Sequence, residues 1–307
     1  MRSRRRKKLR WQKVVSLLLL MFLIGGGTYI FSVYKSLAAA VETMHSPIDN
    51  SKSDKRQKAV TLENQQPFSV LLLGVDQRKN DSGRSDTMIV LTVNPTKKSV
   101  EMMSIPRDTR TEMIGKGTED KINHAYAYGG IGMSIKTVEN FLDIPIDYYV
   151  ELNMEGFQSI VDSVGGVTVH NDLEFSDKGY HFNKGPIELD GKKALVYSRM
   201  RHQDPRGDFG RQLRQRQVMK AVINEGASLS TVNNYDKILK ALGNNLKTNL
   251  TFDQMVDIQK NYGDARKNIK QFQINGTNER VNGIFYYIVP EEERKTVTSR
   301  LREHLEI

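Results

Sequence analysis

Two aspartates, Asp76 and Asp86, stand at either end of a polar loop between two apolar stretches of the sequence. In "LLLGVDQRKNDSGRSDT" a near-continuous apolar run ends in Asp76, and Asp86 lies where the next apolar run begins. Carboxylates at adjoining strand ends can share a hard cation such as Mg²⁺, which takes one or two carboxylates together with water and phosphate oxygens. A solvated loop explains the same spacing, so the residues alone leave both readings open.

An arginine is placed to reach the same region. In "SIPRDTR" a strand runs into Pro106, which ends it and leaves Arg107 and Asp108 just beyond the strand. Ligands of open α/β sheets collect outside the carboxyl ends of the strands, so we expect Arg107 to face the crevice that contains Asp76. The alternative is a surface ion pair between Arg107 and Asp108.

The stretch "SRMRHQDPRGDFGRQLRQRQ", residues 198–217, holds six arginines and no lysine. Arginine rather than lysine is typical of bidentate binding to phosphate or carboxylate. Arg211 and Gln215 are four residues apart and share a helix face, which continues through Val218 and Val222 toward the interior. Arg214 and Arg216 fall on other faces of this helix. Both of them, and Arg206 in the preceding loop, are predicted to be solvated.

Other motifs are weaker or missing. Asn123 and His124 in "KINHAYAYGG" are candidates for substrate binding, although a lone histidine is more often structural. The sequence has no Walker A glycine loop, no G-x-S-x-G and no H-E-x-x-H. Arginine and Mg²⁺ therefore remain as the means of holding a phosphate, without the apparatus that binds ATP.

The charge of the chain is concentrated at its start. The 307 residues carry a formal net charge of +10, but residues 2–13 contribute five Arg and three Lys with no acid. The other residues hold 38 basic and 36 acidic side chains, a net of +2, which argues against a broad surface for nucleic acid. The absence of cysteine excludes thiolate metal sites and fits an exported protein without disulfides.

Residues 14–34 follow that basic run and contain no charge. Twenty-one helical residues span about 30 Å, enough to cross a membrane, and the basic flank is expected to stay in the cytoplasm. A cleaved signal peptide is the rival, but the apolar stretch exceeds the usual length of about 7–15 residues. We expect a single-pass type II membrane protein with a cytoplasmic tail (1–13), an anchor (14–34), a stalk (35–66) and an extracellular domain (67–307).

Short β-rich apolar runs and amphipathic stretches alternate in that domain. Together they predict one α/β domain, with a central mixed sheet flanked by helices, preceded by the transmembrane helix. The predicted strands cover residues 68–75, 87–94, 99–105, 147–153, 166–170 and 270–276. The predicted helices cover residues 134–142, 154–164, 190–199, 209–226, 232–247 and 251–269.

Several of these segments, in this order, resemble the LytR–CpsA–Psr family. They are "LLLGVD", "RSDTMIV", "SIPRDT", "KINHAYAYGG", "VDSVGGVTV", "LDGKKALVYSRMRH" and "DFGRQLRQRQ". The resemblance implies an enzyme that moves a wall glycopolymer, such as teichoic acid, from an undecaprenyl-pyrophosphate carrier to peptidoglycan. A muramic-acid hydroxyl attacks the polymer-bearing phosphate, a phosphodiester forms, and undecaprenyl phosphate leaves.

The resemblance also implies roles for individual residues. Asp76 and Asp86 match the family's metal ligands, for Mg²⁺ or Mn²⁺, and Arg107 and Asp86 are implied in catalysis. Asp208 is a candidate base or supporting residue. The positions that match pyrophosphate-binding residues, with Arg84 as a further candidate, are Arg84, Arg107, Arg199, Arg201, Arg211 and Gln215.

Other functions fit parts of the sequence. The same site could hydrolyse the polyprenyl-pyrophosphate carrier, with water in place of the sugar hydroxyl, or attach a capsule polysaccharide. A glycan-binding module would need no metal. A DNA-binding regulator has support only from the basic tail and the arginine cluster, and the predicted anchor would place that cluster outside the cell, so we expect no nucleic-acid partner.

Overall fold

Six strands form the central sheet of the computed structural model, which describes residues 34–36, 38–39, 41–48, 52–76, 83–226 and 242–307. The strand order is β11-β6-β1-β2-β3-β12. The strands of this sheet are β1 (Phe68–Asp76), β2 (Arg84–Asn94), β3 (Ser99–Ser104), β6 (Tyr148–Leu152), β11 (Leu246–Thr248) and β12 (Ile269–Gln273).

The sheet is mixed, as predicted. Strand β1 pairs antiparallel with β2 and parallel with β6, while β3 pairs antiparallel with β2 and parallel with β12. Residues 68–73 of β1 are all buried, since helices cover both faces of the sheet. Six α-helices lie wholly within the described residues: α1 (His124–Leu142), α2 (Met154–Ser163), α3 (Gly191–Arg199), α4 (Asp208–Gly226), α5 (Phe252–Asn261) and α6 (Glu291–Leu305).

The described residues form four apolar clusters on and beside the sheet, the fourth of which contains Val41, Met44, Leu152, Leu242 and Leu246. Alternate residues of β1, such as Leu71 and Leu73, pack with α1 and α6, whereas Val70 and Leu72 pack on the opposite face with Tyr262. A third cluster joins α2, α3 and α4 to the small strands that follow β6. Four two-stranded sheets complete the fold, formed by β4 (Arg110–Met113) with β5 (Thr118–Lys121), β7 (Val167–Asn171) with β10 (Gly185–Leu189), β8 (Phe175–Asp177) with β9 (Tyr180–Phe182), and β13 (Thr277–Val281) with β14 (Ile284–Ile288).

The strand predictions are confirmed within a few residues, but two helices differ. Helix α1 begins ten residues before the predicted start and is kinked where Gly130 has a φ of 60°, a conformation that glycine adopts readily. The predicted helix 251–269 ends at Asn261, and strand β12 begins at Ile269. The predicted helix 232–247 lies mostly outside the described residues, and its end forms a 3-10 turn and β11.

The described part of the predicted stalk packs against the domain. Val41, Met44 and Leu62 are at most 3% exposed. Arg56 forms a bidentate ion pair with Asp147, with nitrogen–oxygen distances of 2.6 and 2.8 Å. No helix among the described residues is both long and apolar enough to cross a membrane, and residues 14–33 of the predicted anchor lie outside them.

Candidate active site

A cavity of about 490 Å³ lies between the ends of β1 and β2 and helices α2, α3 and α4. This volume is within the range of small-molecule sites, about 300–1,000 Å³. Its lining includes apolar side chains, among them Leu72, Val75, Ile89, Leu152, Phe157, Leu195 and Met219. The lining also includes most of the residues proposed from sequence, namely Asp76, Asp86, Arg107, Arg199, Arg201, Arg211 and Gln215.

A β-bulge accompanies Asp86 in the cavity wall. Gly74 pairs with Thr87 and Val75 pairs with Ser85, so Asp86 is the extra residue of β2. Such a bulge bends the strand and redirects the side chain. Gly74 permits the close pairing at this point, because a Cβ there would lie 2.9 Å from the Cβ of Thr87. The bulge thus leaves Asp86 in the wall of the cavity that Asp76 also lines.

Arg107 and Arg211 converge on Asp86. Nη1 of Arg107 lies 2.9 Å from Oδ1 of Asp86, and Nη2 of Arg211 donates to the carbonyl oxygen of Asp86 over 3.3 Å. Burial lowers the pKa of Arg107, but the ion pair with Asp86 and the charges of Asp208 and Asp108 together outweigh burial, and the net pKa is raised. The prediction that Arg107 reaches the crevice is confirmed, and its partner is chiefly Asp86 rather than Asp108, 3.7 Å away.

Arg211 is held in a setting that favours an anion. Its side chain is 9% exposed, and Nη2 lies 2.8 Å from Oδ1 of Asp208. Burial lowers the pKa of Arg211, Asp208 opposes that change, and the positive charges of Arg107 and Arg201 lower the pKa further. Its buried Nε has no hydrogen-bond partner in the described part of the chain. A bound anion would offset the repulsion among these guanidinium groups.

The end of α3 supplies the opposite wall. Arg199 is the last residue of the helix, and its Nη2 lies 3.9 Å from Oδ2 of Asp76. The backbone turns to extended geometry at Met200, so Arg201 follows on a loop. Arg201 is exposed and lines the cavity. Arg199 on α3, Arg201 on the following loop and Arg211 on α4 therefore line the same cavity.

Two arginines predicted to be solvated are buried, and that prediction was wrong. Arg214 is 0% exposed and Arg216 is 3% exposed, because α4 is covered on more than one side. Arg214 bonds Asp204 and the end of α3, while Arg216 donates to Oγ of Ser104 over 2.9 Å. Burial lowers the pKa of Arg216 to about 10. Helical spacing alone did not reveal the second covered face.

Four other candidates lie outside the cavity lining. Arg84 is exposed and pairs across the strands with Asp76, and Asp208 contacts the cavity only through Arg211. Nδ1 of His124 donates a hydrogen bond to Oδ2 of Asp120 over 2.9 Å, and Asn123 is 4% exposed at the start of α1. Sequence reasoning did not identify Asp177 and Lys178, which reach the cavity from the β8–β9 turn, since their hairpin carries no motif.

The two aspartates that line the cavity suit a metal ion that the protein and a bound substrate hold together. Asp76 and Asp86 both line the cavity, whereas the described residues contain no cluster of three or more carboxylate, histidine or cysteine side chains suited to a metal. Mg²⁺ commonly binds one or two carboxylates and completes its octahedron with water and phosphate oxygens. The two aspartates fit such an ion together with a phosphate-bearing ligand.

The fold is a mixed sheet flanked by helices, and its candidate site is a cavity lined by arginines, aspartates and apolar side chains. The chain belongs to the LytR_cpsA_psr family, whose model matches residues 30–303.

Named relatives are similar over most of the chain. The Bacillus subtilis (strain 168) polyisoprenyl-teichoic acid–peptidoglycan teichoic acid transferase TagU is 50% identical over 307 residues, 100% of both chains. A crystal structure of an Enterococcus faecalis protein named as a transcriptional regulator has a TM-score of 0.75 and 40% identity, covering 81% of this chain and 91% of that one. TagT bound to LI-WTA has a TM-score of 0.74 and 32% identity, covering 86% and 100%.

Proposed function

We propose that this protein transfers wall teichoic acid from an undecaprenyl-pyrophosphate carrier to a muramic-acid hydroxyl of peptidoglycan. The observation that carries the proposal is the cavity that is lined both by arginines and by a set of apolar side chains. A polyprenyl pyrophosphate has the same division into anion and hydrocarbon. The names of the TagU relatives, half-identical over the full length, support the polymer and the acceptor.

The polar side chains of the cavity neutralise the pyrophosphate. Arg107, Arg199 and Arg211 come from three different segments and point to one region, so they can contact phosphate oxygens from several sides. Arg201 and Gln215 add donors in the same cavity. Phosphoryl transfer depends chiefly on positioning and on stabilising negative charge, and preorganised arginines in a partly dry site supply both.

The reaction balances without another co-reactant. The acceptor hydroxyl oxygen forms a bond to the phosphorus that carries the polymer, and the bond from that phosphorus to the bridging oxygen breaks. Undecaprenyl phosphate leaves with the bridging oxygen, and the acceptor releases one proton. Arg107 and Asp86, in contact over 2.9 Å, line the cavity where this charge develops. The carrier's pyrophosphate supplies the free energy, which agrees with the lack of an ATP motif.

Asp208 acts through Arg211 in this proposal. Its carboxylate lies 2.8 Å from Nη2 of Arg211 and accepts from Gln212 over 2.9 Å. Those contacts orient the guanidinium toward the cavity. Asp76 and Asp86 hold Mg²⁺ or Mn²⁺, which when bound would supply further positive charge next to the phosphates. Arg84, at the rim of the site, approaches the ligand only from outside the cavity lining.

The carrier lipid requires a membrane location. Residues 14–34 act as the anchor, and the catalytic domain lies on the extracellular side, where peptidoglycan is the acceptor. This arrangement rests on the uncharged stretch and its basic flank.

A role in DNA binding, suggested by the name of the Enterococcus faecalis structure, has less support from the site. Arg211, Arg214 and Arg216 are each at most 8% exposed, so the arginine-rich segment does not present these side chains to a duplex. Proteins that bind nucleic acid through phosphates place clustered Lys and Arg on an accessible surface. The cavity arginines instead suit a small enclosed anion.

The test is a reaction of the full chain in detergent with a lipid-pyrophosphate glycopolymer, Mg²⁺ and peptidoglycan oligomers. Glycan-linked phosphodiester and stoichiometric undecaprenyl phosphate are expected. Free polymer phosphate without linked glycan would instead establish hydrolysis. The absence of both products would contradict the proposal. A parallel reaction with EDTA tests the metal, since its removal is expected to lower the rate.

A further inference from the structure

The buried pair of Asp204 and Arg214 lies directly behind the arginine-lined cavity. Both side chains are 0% exposed, and Nη1 of Arg214 lies 2.6 Å from Oδ2 of Asp204. Neither residue lines the cavity. The pair therefore does not bind the ligand, and its role must be read from the groups that it joins.

Arg214 ties helix α4 to the end of helix α3. Its Nε donates to the carbonyl oxygen of Tyr197 over 3.1 Å, and its Nη2 donates to the carbonyl oxygen of Met200. The last carbonyl groups of a helix have no partner within the helix, so Arg214 satisfies acceptors that would otherwise be unmet. Tyr197 and Met200 lie on either side of Arg199, and Met200 directly precedes Arg201.

Asp204, the other residue of the pair, fixes the loop between α3 and α4. Asp204 accepts hydrogen bonds from the backbone N–H and Nε of Arg206, each over 2.9 Å, as well as from Arg214. Arg206 in turn lies 2.5 Å from a carboxylate oxygen of Asp172, beside β7. The loop that carries Arg201 is thus held at both of its ends and to a neighbouring strand.

The ligand-binding arginines need this restraint because they repel one another. Arg211 and Gln215 lie on the same helix as Arg214, whereas Arg199 and Arg201 lie on the segment that Arg214 holds. The charges of Arg107 and Arg201 already disfavour the protonated form of Arg211. The restraint keeps the two segments together when no anion offsets that repulsion.

We propose that Asp204 and Arg214 are positioning residues, which hold Arg199 and Arg201 at a fixed separation from Arg211 and Gln215 so that the site is formed before the pyrophosphate binds. This inference rests on the proposed function, since it concerns the same ligand. Charged groups that are already in position stabilise a bound anion more than groups that must first be brought together when the anion binds.

The experiment compares two buried ion pairs. Asp204→Asn removes the charge next to Arg214, and Asp147→Asn removes the charge next to Arg56, whose pair is also buried, with side chains 11% and 7% exposed. Asp147 does not line the arginine-lined cavity. Titration calorimetry with geranylgeranyl pyrophosphate on the full chain in detergent measures affinity, at a temperature where circular dichroism shows both variants folded.

Both variants are expected to melt at a lower temperature than the wild type, but only Asp204→Asn is expected to bind the pyrophosphate more weakly, by roughly ten- to a hundredfold. In the transfer reaction Asp204→Asn should raise KM and lower kcat together. Wild-type affinity in Asp204→Asn, or equal weakening in Asp147→Asn, would overturn the positioning role while leaving the proposed function intact. A wild-type chain that binds no pyrophosphate would overturn both.

A second variant decides the matter if Asp204→Asn does not fold. Arg206 is exposed, so Arg206→Gln leaves the interior pair of Asp204 and Arg214 in place and removes the side-chain bonds of Arg206 to Asp204 and Asp172. A smaller weakening of pyrophosphate binding is expected, in the same direction. Unchanged affinity in folded Arg206→Gln would overturn the inference.

Discussion

A single methyl group at Gly210 is expected to destabilise the protein through the buried ion pair. Gly210 lies in the first turn of α4, and a Cβ at this position would lie 1.9 Å from Oδ2 and 2.4 Å from Cγ of Asp204. No real Cβ makes so close a contact, so Gly210→Ala must displace the carboxylate. Asp204 has no room to yield without cost, since Arg214 and Arg206 bind it over 2.6 and 2.9 Å.

The magnitude follows from two opposing effects. Alanine is favoured over glycine inside a helix by about 1 kcal/mol. Disrupting a buried ion pair costs about 3–5 kcal/mol, because the remaining charge is left without its partner. The net loss in the free energy of unfolding is about 2–4 kcal/mol. For a domain of this size each kcal/mol shifts the melting temperature by about 2–4 °C, so we expect a fall of roughly 5–15 °C.

Thermal denaturation followed by circular dichroism measures this difference, with Gly132→Ala as the matched control. Gly132 also lies within a helix, but a Cβ there would meet no atom within 4 Å. Gly132→Ala should therefore leave the melting temperature unchanged or raise it.

A Gly210→Ala protein as stable as the wild type would refute the reasoning. The double variant gives a sharper check, because removing the carboxylate removes the clash. In an Asp204→Ala background, Gly210→Ala is expected to cost nothing further. An equal cost in both backgrounds would show that the methyl group acts through other contacts.

Three further predictions address the apolar lining of the cavity, the buried cation and pH. Leu195→Lys places a charge among the apolar side chains of the cavity and should weaken binding of geranylgeranyl pyrophosphate by roughly tenfold or more, with binding of inorganic pyrophosphate unchanged in calorimetry. Arg216→Met should raise the free energy of unfolding in urea by about 1–3 kcal/mol, since no described carboxylate pairs with Arg216 and burial lowers its pKa to about 10. Burial also lowers the pKa of His304 from its ordinary value of 6.5. Below pH 6.5 the unfolded chain therefore binds a proton at this residue more readily than the folded chain does. The free energy of unfolding falls as the pH drops from 6.5 through the folded-state pKa. His304→Gln should remove this part of the slope between pH 7 and 5.

Each of these predictions has an outcome that contradicts it. Equal loss of both pyrophosphate ligands in Leu195→Lys would show that the apolar side chains of the cavity do not hold the chain of the lipid. A destabilised Arg216→Met would mean that its bond to Ser104 outweighs the burial of charge. An unchanged slope in His304→Gln would assign the acid sensitivity to other groups.

Five of the six central strands were readable from the sequence because each is a short apolar run with its own end signal, whereas β11 overlaps the end of a predicted helix. The apolar run that ends in Asp76, the proline after β3 and the arginine–glutamine spacing on α4 predicted where the site residues would lie. The bulge that accompanies Asp86 could not be predicted, since it depends on which residues pair across β1 and β2. The pairing register of β1 and β2 is defined only in the folded sheet, where both strands are present.

The buried arginines were mispredicted for a related reason. A helical wheel places Arg216 on a face away from Val218, whereas Arg214 lies four residues before Val218 and shares its face. The charge of Arg214 argued for exposure, since charged residues are seldom fully buried unless they are paired. The partner of Arg214, Asp204, lies ten residues earlier on a loop. That pairing depends on how the loop returns to the helix, which local spacing does not encode.

The rate of polymer transfer in Arg107→Ala tests the central claim most directly. Arg107 lines the cavity and pairs with Asp86, whereas Arg280 is exposed on β13 and lies outside the cavity lining, so Arg280→Ala is the matched control. Loss of one positioned donor to developing negative charge is expected to lower kcat by roughly 10²–10³. Arg280→Ala should react as the wild type does. A folded Arg107→Ala protein that transfers the polymer at the wild-type rate would contradict the assignment of this cavity as the active site.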